Sequence, residues 1–534
     1  MVLYLVALVS GMLVPLIANA AKYAQISREI IDSGDWLKLT IAREAYNQKP
    51  PLLFWFGAVS YSLFGVSTFA FKLPVILFSL LGIFATFRLG NLLYDKKTGK
   101  LAAFFWATSL GYLYFHNDIH ADTLLATNVI IAIWQFSEYF YHKKRGGFYL
   151  GVLFTGLAML TKGPIGLVVP ALAIGINLLV HKKRKEIFQF RWIIALIILV
   201  FIISPALIGL YKQFGTEGLK FYFWTNNMGR ITGSYQGVNT DPLFYFYNSI
   251  YTLAPWTIFA FAGIFMEIKT KVIQIKNKAL EKEASEFITL GAILPFLAIL
   301  SIAKQKNPHY IMAILPLVML LAAKWVIPIF NELKYLKTKK TIEILNYILV
   351  LLLWAALLAF SLCFYRETNI WKWLLSFLSA ALIIAFLFLS KGLNKQILIL
   401  LTTSTLFIFS VNTSIIPKMM EYHSTYNVAK VFNQKADDND KLYSYRLRFW
   451  SSFFYSKSYG SWIRSEKGLP ELQGIENAWV YTDGYGIGRL KANGFEFEII
   501  ETFPHRTITG QTLKFLTSED KSQFLQDFYL VELK

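Results

Sequence analysis

About thirteen apolar stretches of membrane-spanning length run through the chain, which makes it a polytopic membrane protein. The stretches fall at about 1–17, 72–93, 101–116, 123–141, 148–162, 164–180, 192–211, 248–266, 287–303, 309–327, 344–364, 373–390 and 396–415. Two kinds of loop separate them. Short loops carry cationic runs, among them Lys96–Lys97, Lys143-Lys144-Arg145, Lys182-Lys183-Arg184-Lys185 and Lys334–Lys340. The remaining loops hold most of the other polar residues, in the clusters Lys22–Lys49, His116–Asp122 and Lys304–Tyr310. Lys and Arg stay cytoplasmic, so the N-terminus is expected inside and these three clusters outside. That outer face has no ATP and no nucleotide-sugar pool, so a group transferred there must arrive on a lipid.

Hydrophobic residues make up 55% of the 534, and the net charge is +20. Such a charge fits nucleic acid in a soluble protein. Here it concentrates beside apolar spans, where it orients them and meets anionic headgroups, so no nucleic-acid role is expected. Cys363 is the only cysteine, which excludes an internal disulfide and a Cys-based metal site; a buried small hydrophobe is expected. Ala18-Asn19-Ala20 resembles a cleavage site after the apolar start, but no basic residue precedes it, and the segment reads as a retained first helix.

A long outer loop, 18–51, follows that helix. Tyr23–Ile31 has helical apolar spacing stopped by Ser33-Gly34-Asp35, as in a helix lying along the interface. Pro50-Pro51 opens a short aromatic helix over Leu52–Phe64, read as interfacial or re-entrant. A second large loop, rich in aromatics and glycine, spans Tyr211–Tyr247. From about Pro417 the composition becomes that of an ordinary α/β domain. Helices are expected at Tyr426–Asn433 and Ser518–Leu525, and strands at Lys441–Arg446, Ala478–Asp483, Phe495–Phe503 and Tyr529–Leu533. The expected division is a transmembrane domain over 1–416 and an extracytoplasmic domain over 417–534.

Ionisable residues near hydrocarbon gather where water or substrate reaches. Arg28, Glu29, Asp32 and Lys38 read as a solvated loop surface. Lys49, held at the membrane face by Pro50-Pro51, suits a phosphate at headgroup depth. His116-Asn117-Asp118-Ile119-His120-Ala121-Asp122 offers imidazoles and carboxylates. Its spacing matches no standard metal site, and Asp122 reads either as a helix cap or as an acid lining a substrate cavity. Lys162, before Gly163-Pro164, reads as a snorkelling anchor or a substrate contact. Arg230 is placed to bind phosphate bidentately or to pair with an acid. Lys304, Lys306, His309 and Tyr310 share a turn with no acid, which points to an anionic ligand.

The ordered motifs carry a resemblance. Ala21-Lys22-Tyr23-Ala24 with Ser33-Gly34-Asp35-Trp36, then Lys49-Pro50-Pro51-Leu52, resembles the first external loop of the GT-C polyprenyl-phosphate-sugar transferases. The nearest branch is the bacterial aminoarabinose-transferase-like one, related to protein O-mannosyltransferases. Ala121-Asp122-Thr123, Leu160-Thr161-Lys162-Gly163-Pro164, Pro255-Trp256 and Pro308-His309-Tyr310-Ile311 continue it in order. The resemblance implies sugar transfer from a polyprenyl phosphate at the outer face of a bacterial inner membrane. The family's catalytic acid opens the first loop; aligned on Tyr23-Ala24, that position holds Asn19, and the basic position holds Lys22. An amide cannot accept a proton as a general base. Asp122 or another acid then carries the work, or the acceptor is already anionic, or the chain binds lipid-sugar without turning it over.

The resulting expectation is a mainly helical GT-C protein with a small C-terminal α/β domain. It would move a sugar from a polyprenyl-phosphate donor to a lipid, glycan or protein acceptor. Asp122 is the expected functional carboxylate, and Lys22, Tyr23, Lys49, Lys162, Arg230, Lys304, Lys306, His309 and Tyr310 the expected substrate contacts. No cofactor is required by the sequence, and a divalent metal has no support in it. A carrier of lipid-linked sugar is the rival from another class, but transporters commonly show internal repeats, and none is visible here.

Overall fold

The computed structural model describes residues 2–234, 238–277, 286–475 and 478–534. In a bilayer core the backbone polar groups must be satisfied within the segment, so apolar stretches become helices. Helix α1 (Val2–Met12) leads to α2 (Ala18–Ser33), the two-residue strands β1 (Thr40–Ile41) and β2 (Glu44–Ala45), α3 (Leu52–Phe64) and α4 (Thr68–Leu93). Next come α5 (Lys96–Ala107), α6 (Leu110–Asn117), α7 (Ala121–His142), α8 (Arg145–Lys162), α9 (Ile165–Val180), the single turn α10 (Arg184–Ile187) and α11 (Arg191–Lys220). A π-helical stretch, Phe221–Thr225, joins α11 to α12 (Asn226–Thr232). Helices α13 (Phe244–Thr252), α14 (Thr257–Lys276) and α15 (Ile288–Ile302) follow, then a 3-10 segment, Pro308–Ile314. The membrane part closes with α16 (Leu315–Asn331), α17 (Leu336–Leu358), α18 (Ile370–Leu389), α19 (Gly392–Ser410) and α20 (Ile416–Met420).

Six helical segments among the described residues are long and apolar enough to cross a bilayer: Thr68–Leu93, Arg184–Thr232, Pro308–Asn331, Leu333–Phe364, Ile370–Leu389 and Gly392–Met420. Other expected spans are helical but shorter, interrupted or, like the 22-residue α7, less apolar. The stretch at 101–116 breaks between α5 and α6, where the Ser109 hydroxyl caps α6 by accepting from Tyr112 N–H at 3.2 Å. The stretch at 248–266 breaks between α13 and α14. Helix α16 is the buried centre of the bundle, packed against α5 and α14, whereas α17 and α18 are peripheral and present apolar side chains outward.

Three expectations for the part before the C-terminal domain need correction. The segment from Tyr211 to Thr232 is helical rather than a loop; Gly215, with φ 58°, supplies the left-handed residue that redirects α11. Cys363 is exposed on the outer side of the bundle, not buried, because it lies in the π-helical segment Ala359–Phe364 at the end of a peripheral helix. Arg28 and Glu29 are structural, not a solvated surface. Glu29 is buried and accepts from Ala42 N–H at 2.7 Å, Thr40 Oγ1 at 2.7 Å and Gln25 Nε2 at 3.0 Å, which folds the β1–β2 hairpin onto α2. Helix α2 ends at Gly34, whose φ of 69° and N–H bond to Ile30 O at 2.9 Å make a left-handed cap.

After α20 the chain forms α21 (Ser424–Lys435), β3 (Lys441–Tyr445), α22 (Trp450–Tyr455), β4 (Tyr459–Ile463), β5 (Ala478–Asp483), α23 (Gly484–Ala492), β6 (Phe497–His505), α24 (Leu513–Thr517) and β7 (Gln526–Leu533). The sheet order is β4-β3-β5-β7-β6, with β3 parallel to both β4 and β5, and β7 antiparallel to β5 and β6. The helix expected at Ser518–Leu525 is only a 3-10 turn, Ser522–Phe524, because Asp520 accepts from Ser522 N–H at 2.9 Å and makes a local turn there.

This domain sits on the segment 18–51 and on α3. Arg28 projects from α2 to the C-terminal end of α22 and donates to the carbonyls of Phe453 (3.2 Å), Phe454 (3.3 Å), Ser456 (2.8 Å) and Lys457 (3.0 Å). These are the carbonyls a helix end leaves unpaired. The guanidinium also covers the Tyr459 ring at 4.7 Å, and Tyr459 donates to Asp32 at 2.6 Å. Trp450, Phe453 and Phe454 join α2 and α3 in one apolar cluster.

Candidate functional site

Helices α7 and α8 run antiparallel, and the site forms where the start of one meets the end of the other. Asp122 lies in the first turn of α7, where a carboxylate complements the helix dipole. Lys162 is the last residue of α8, stopped by Gly163 at φ 79°, and a cation suits that end. The Lys162 ammonium donates to Asp122 Oδ1, and both side chains are nearly fully buried. Asp122 is therefore not a side-chain cap, and Lys162 does not snorkel outward: each is the other's buried partner.

The turn before α16 adds the next layer. Pro308 starts the 3-10 segment that directs His309 and Tyr310 inward. His309 Nε2 lies 3.8 Å from Asp122 Oδ2, and its ring stacks on His120 at 4.2 Å. Tyr310 offers its ring face to Lys162 at 3.8 Å, a cation–π contact. Its hydroxyl accepts from Arg230 Nη1 and from Asn307 Nδ2, the latter at 2.9 Å. Arg230 reaches this point because the extended 304–305 segment lies along the end of α12, with Gln305 N–H bonded to Arg230 O at 2.9 Å. Arg230 Nε donates to Asn226 Oδ1 at 3.0 Å, which fixes the plane of the guanidinium.

Lys49, Lys162, Arg230, Tyr310 and Gln305 line a cavity of about 100 Å3, closed on its apolar side by Leu125, Phe296 and Leu300. Among the described residues the Lys49 ammonium has neither a hydrogen bond nor an ion pair. Burial first, then the nearby Lys162 and Arg230 charges, hold it well below the usual lysine range. Lys22, on α2, stands further out, over the rings of Tyr23 at 5.3 Å and Tyr46 at 5.8 Å. Burial, then Arg448 and Arg230, lower it to about 8. Tyr23 is buried against Phe54 and pushed upward by burial and by Asp122.

The other expected residues lie outside this convergence. Asn19 is exposed on the first turn of α2. Lys304 is exposed, and Lys306 spends its ammonium on the carbonyls of Ala303 (2.6 Å) and Asn239 (3.0 Å), so it clamps the turn. His116 and Asn117 point to the other side of α6: His116 Nδ1 bonds Tyr112 O at 2.6 Å, and Asn117 bonds Asn412 at 3.1 Å. No group of three metal-ligating side chains occurs among the described residues.

Two contributors escaped sequence reasoning. Asn307 lay inside a flagged turn but was overlooked beside its charged neighbours. Arg448 belongs to the C-terminal domain, where it covers Trp450 at 5.5 Å and Trp462 at 5.2 Å. Nothing in the linear sequence connects it to Lys22.

A family described as dolichyl-phosphate-mannose-protein mannosyltransferase matches residues 48–208. An uncharacterized protein of Aquifex aeolicus is 27% identical over 439 residues, 81% of this chain and 80% of that one. The undecaprenyl phosphate-alpha-4-amino-4-deoxy-L-arabinose arabinosyl transferase of Shewanella sediminis is 24% identical, over 60% of this chain and 58% of its own length. Its Edwardsiella ictaluri counterpart is 26% identical, over 57% and 54%. The chain thus spans little more than half of the named transferases it matches. Among solved structures, ArnT from Cupriavidus metallidurans bound to undecaprenyl phosphate superposes with a TM-score of 0.75 at 17% identity, covering 99% of this chain and 96% of that one. An oligosaccharyltransferase of Archaeoglobus fulgidus gives 0.51 at 12% identity, over 90% and 69%.

The architecture is that of the GT-C glycosyltransferases. The chain is a multi-pass inner-membrane protein similar in sequence and fold to the aminoarabinose transferases.

Proposed function

We propose that the protein is a glycosyltransferase that takes a sugar from a polyprenyl-phosphate donor and passes it to an acceptor on the extracytoplasmic face. One observation carries this reading: Lys49, Lys162 and Arg230 line one buried cavity, and the Lys49 ammonium there has neither a hydrogen bond nor an ion pair among the described residues. Unpaired buried charge is costly, and a phosphate repays it. As the sugar–phosphate bond breaks, charge grows on the leaving phosphate, and these donors stabilise it where it develops. Tyr310 adds a hydroxyl held by Arg230 and Asn307. The prenyl tail would lie along the apolar side of the cavity. In this reading the N-terminus is cytoplasmic, the C-terminal domain (417–534) extracytoplasmic, and 1–416 the transferase domain.

Asp122 is committed to Lys162 on one oxygen and faces His309 with the other, so we assign it to orienting those two groups. Asn19 supplies no base. An acceptor that is already anionic needs none, and Arg448 beside Lys22 supports that choice by placing two cations on the outer approach. The acceptor is a lipid, a glycan or a protein. The second reading is a protein that holds lipid-linked sugar without transferring it, favoured by Asn19 alone.

The test is transfer of label from radiolabelled polyprenyl-phosphate sugars to a membrane extract, with the protein in nanodiscs. Transfer by the native chain, lost in Asp122→Asn and Lys49→Ala, supports the transferase. Donor binding without transfer, converted to transfer by Asn19→Asp, supports the second reading. Absence of both binding and transfer refutes both.

A further inference from the structure

A crevice far from the cation-lined cavity lies between the outer ends of the peripheral helices and the C-terminal domain. It has a volume of about 680 Å3 and is bordered by Cys363, Tyr365, Arg366, Lys418, Tyr422 and Lys521. Its back wall is fixed: Tyr365 donates to Gln511 Oε1 at 2.6 Å, and Gln511 Nε2 donates to Met419 O at 2.8 Å. Two π-helical segments, Ala359–Phe364 and Val411–Ile415, touch each other here, a feature that recurs at functional sites.

The charged residues of the turn between α17 and α18 divide sharply. Glu367 pairs with Lys372 at 2.9 Å, and Lys372 also donates to Thr413 O at 2.8 Å, a carbonyl in the second π segment. Lys418 pairs with Glu421 at 3.3 Å. Arg366, in contrast, has no hydrogen bond, ion pair or ring contact among the described residues. It is also held at φ 33°, a left-handed backbone that costs a non-glycine residue energy. Lys521 faces the Tyr422 and Phe515 rings at 5.5 and 5.7 Å, with no carboxylate partner among the described residues. Beside the crevice, α17 and α18 turn apolar side chains outward: Leu362 is 56% exposed, Ile370 63% and Trp371 75%. Tryptophan at this position marks headgroup depth.

We propose that this crevice is a phospholipid headgroup site, in which Arg366 and Lys521 take the phosphodiester and the acyl chains lie on the outward faces of α17 and α18. A guanidinium and an ammonium are the donors that phosphate oxygens call for. Glu519, at the rim, suits the ammonium of an ethanolamine headgroup, so ethanolamine lipid binds at least as well as glycerol lipid. The bound lipid ties the turn at 365–369 to the C-terminal domain.

The test is native mass spectrometry of the delipidated full chain in detergent. The probes are phosphatidylethanolamine, phosphatidylglycerol, a diacylglycerol of the same chains, and inorganic phosphate. Both phospholipids are expected to bind at least tenfold more tightly than diacylglycerol. Arg366→Gln with Lys521→Gln should remove that preference, while Lys337→Gln with Lys340→Gln, at the other end of α17, should leave it intact. A headgroup-azido phospholipid crosslinked to the native protein should label Tyr365 or Tyr422, which keeps the test independent of variant folding. Equal retention by the Arg366/Lys521 variant, equal binding of diacylglycerol, or crosslinks confined elsewhere would overturn the proposal. Displacement of phospholipid by millimolar phosphate would make it a free-phosphate site instead.

Discussion

Replacing Lys49 with methionine separates a ligand contact from a structural one. Lys49 is buried in the cavity, its ammonium has no partner among the described residues, and its charged neighbours are Lys162, Arg230 and Lys22 against the single Asp122. Removing it therefore deletes repulsion and desolvation while breaking no bond, and methionine keeps most of the packed volume. The apo protein should unfold at the same temperature as the parent or a higher one. Binding should behave oppositely. A hydrogen bond to a charged group is worth about 1.5–3 kcal/mol, and about 1.4 kcal/mol is a factor of ten in affinity. Undecaprenyl phosphate should thus bind roughly 10- to 100-fold more weakly. Thermal unfolding in detergent, paired with titration of the lipid, reads both quantities. A destabilised apo variant with unchanged lipid affinity would refute the reasoning, because Lys49 would then be a structural cation.

Lys22 is lowered to about 8, so polyprenyl-phosphate affinity should fall as pH rises through 8, and Lys22→Arg should flatten that fall in pH-resolved titrations. Arg28→Ala should loosen the C-terminal domain, since it removes four carbonyl contacts at the end of α22. The expected cost is about 2–3 kcal/mol, seen as faster hydrogen exchange in α22 and β4, with Arg28→Lys recovering only part of it. His423 and His505 are buried side by side in the same domain and lowered to about 4 and about 3. The unfolded chain binds the proton first, so the stability they confer is complete above about pH 6.5 and drains away as pH falls towards 4. At pH 5 each should cost about 2 kcal/mol, and acid unfolding of the domain should weaken in His505→Phe.

Much of the bundle was legible because membrane helices announce themselves by length and apolarity, with no need for tertiary knowledge. The strands at Lys441–Tyr445 and Ala478–Asp483 were equally readable, since alternation and β-branched or aromatic content mark them. The helical run from Tyr211 to Thr232 was hidden because glycine and aromatic density looks like loop composition, while Gly215 only bends the helix. Arg28 and Glu29 were misread for a different reason. A charged residue on an amphipathic helix looks solvated until another element covers it, and α22 and the β1–β2 hairpin do so from elsewhere in the chain.

By itself the sequence determined that this is a multi-span membrane protein with a small α/β domain, and that its polar residues gather in a few loops between spans. Those properties follow from local hydropathy and from the placement of Lys and Arg, which are additive along the chain. Only the tertiary structure decided that Asp122 belongs to Lys162, that Tyr310 belongs to Arg230 and that Lys306 is a clamp. It alone placed Asn19 outside the cavity and brought Arg448 towards Lys22. Partners 40 to more than 400 positions apart meet through helix ends and a domain interface, and neither hydropathy nor spacing carries that information.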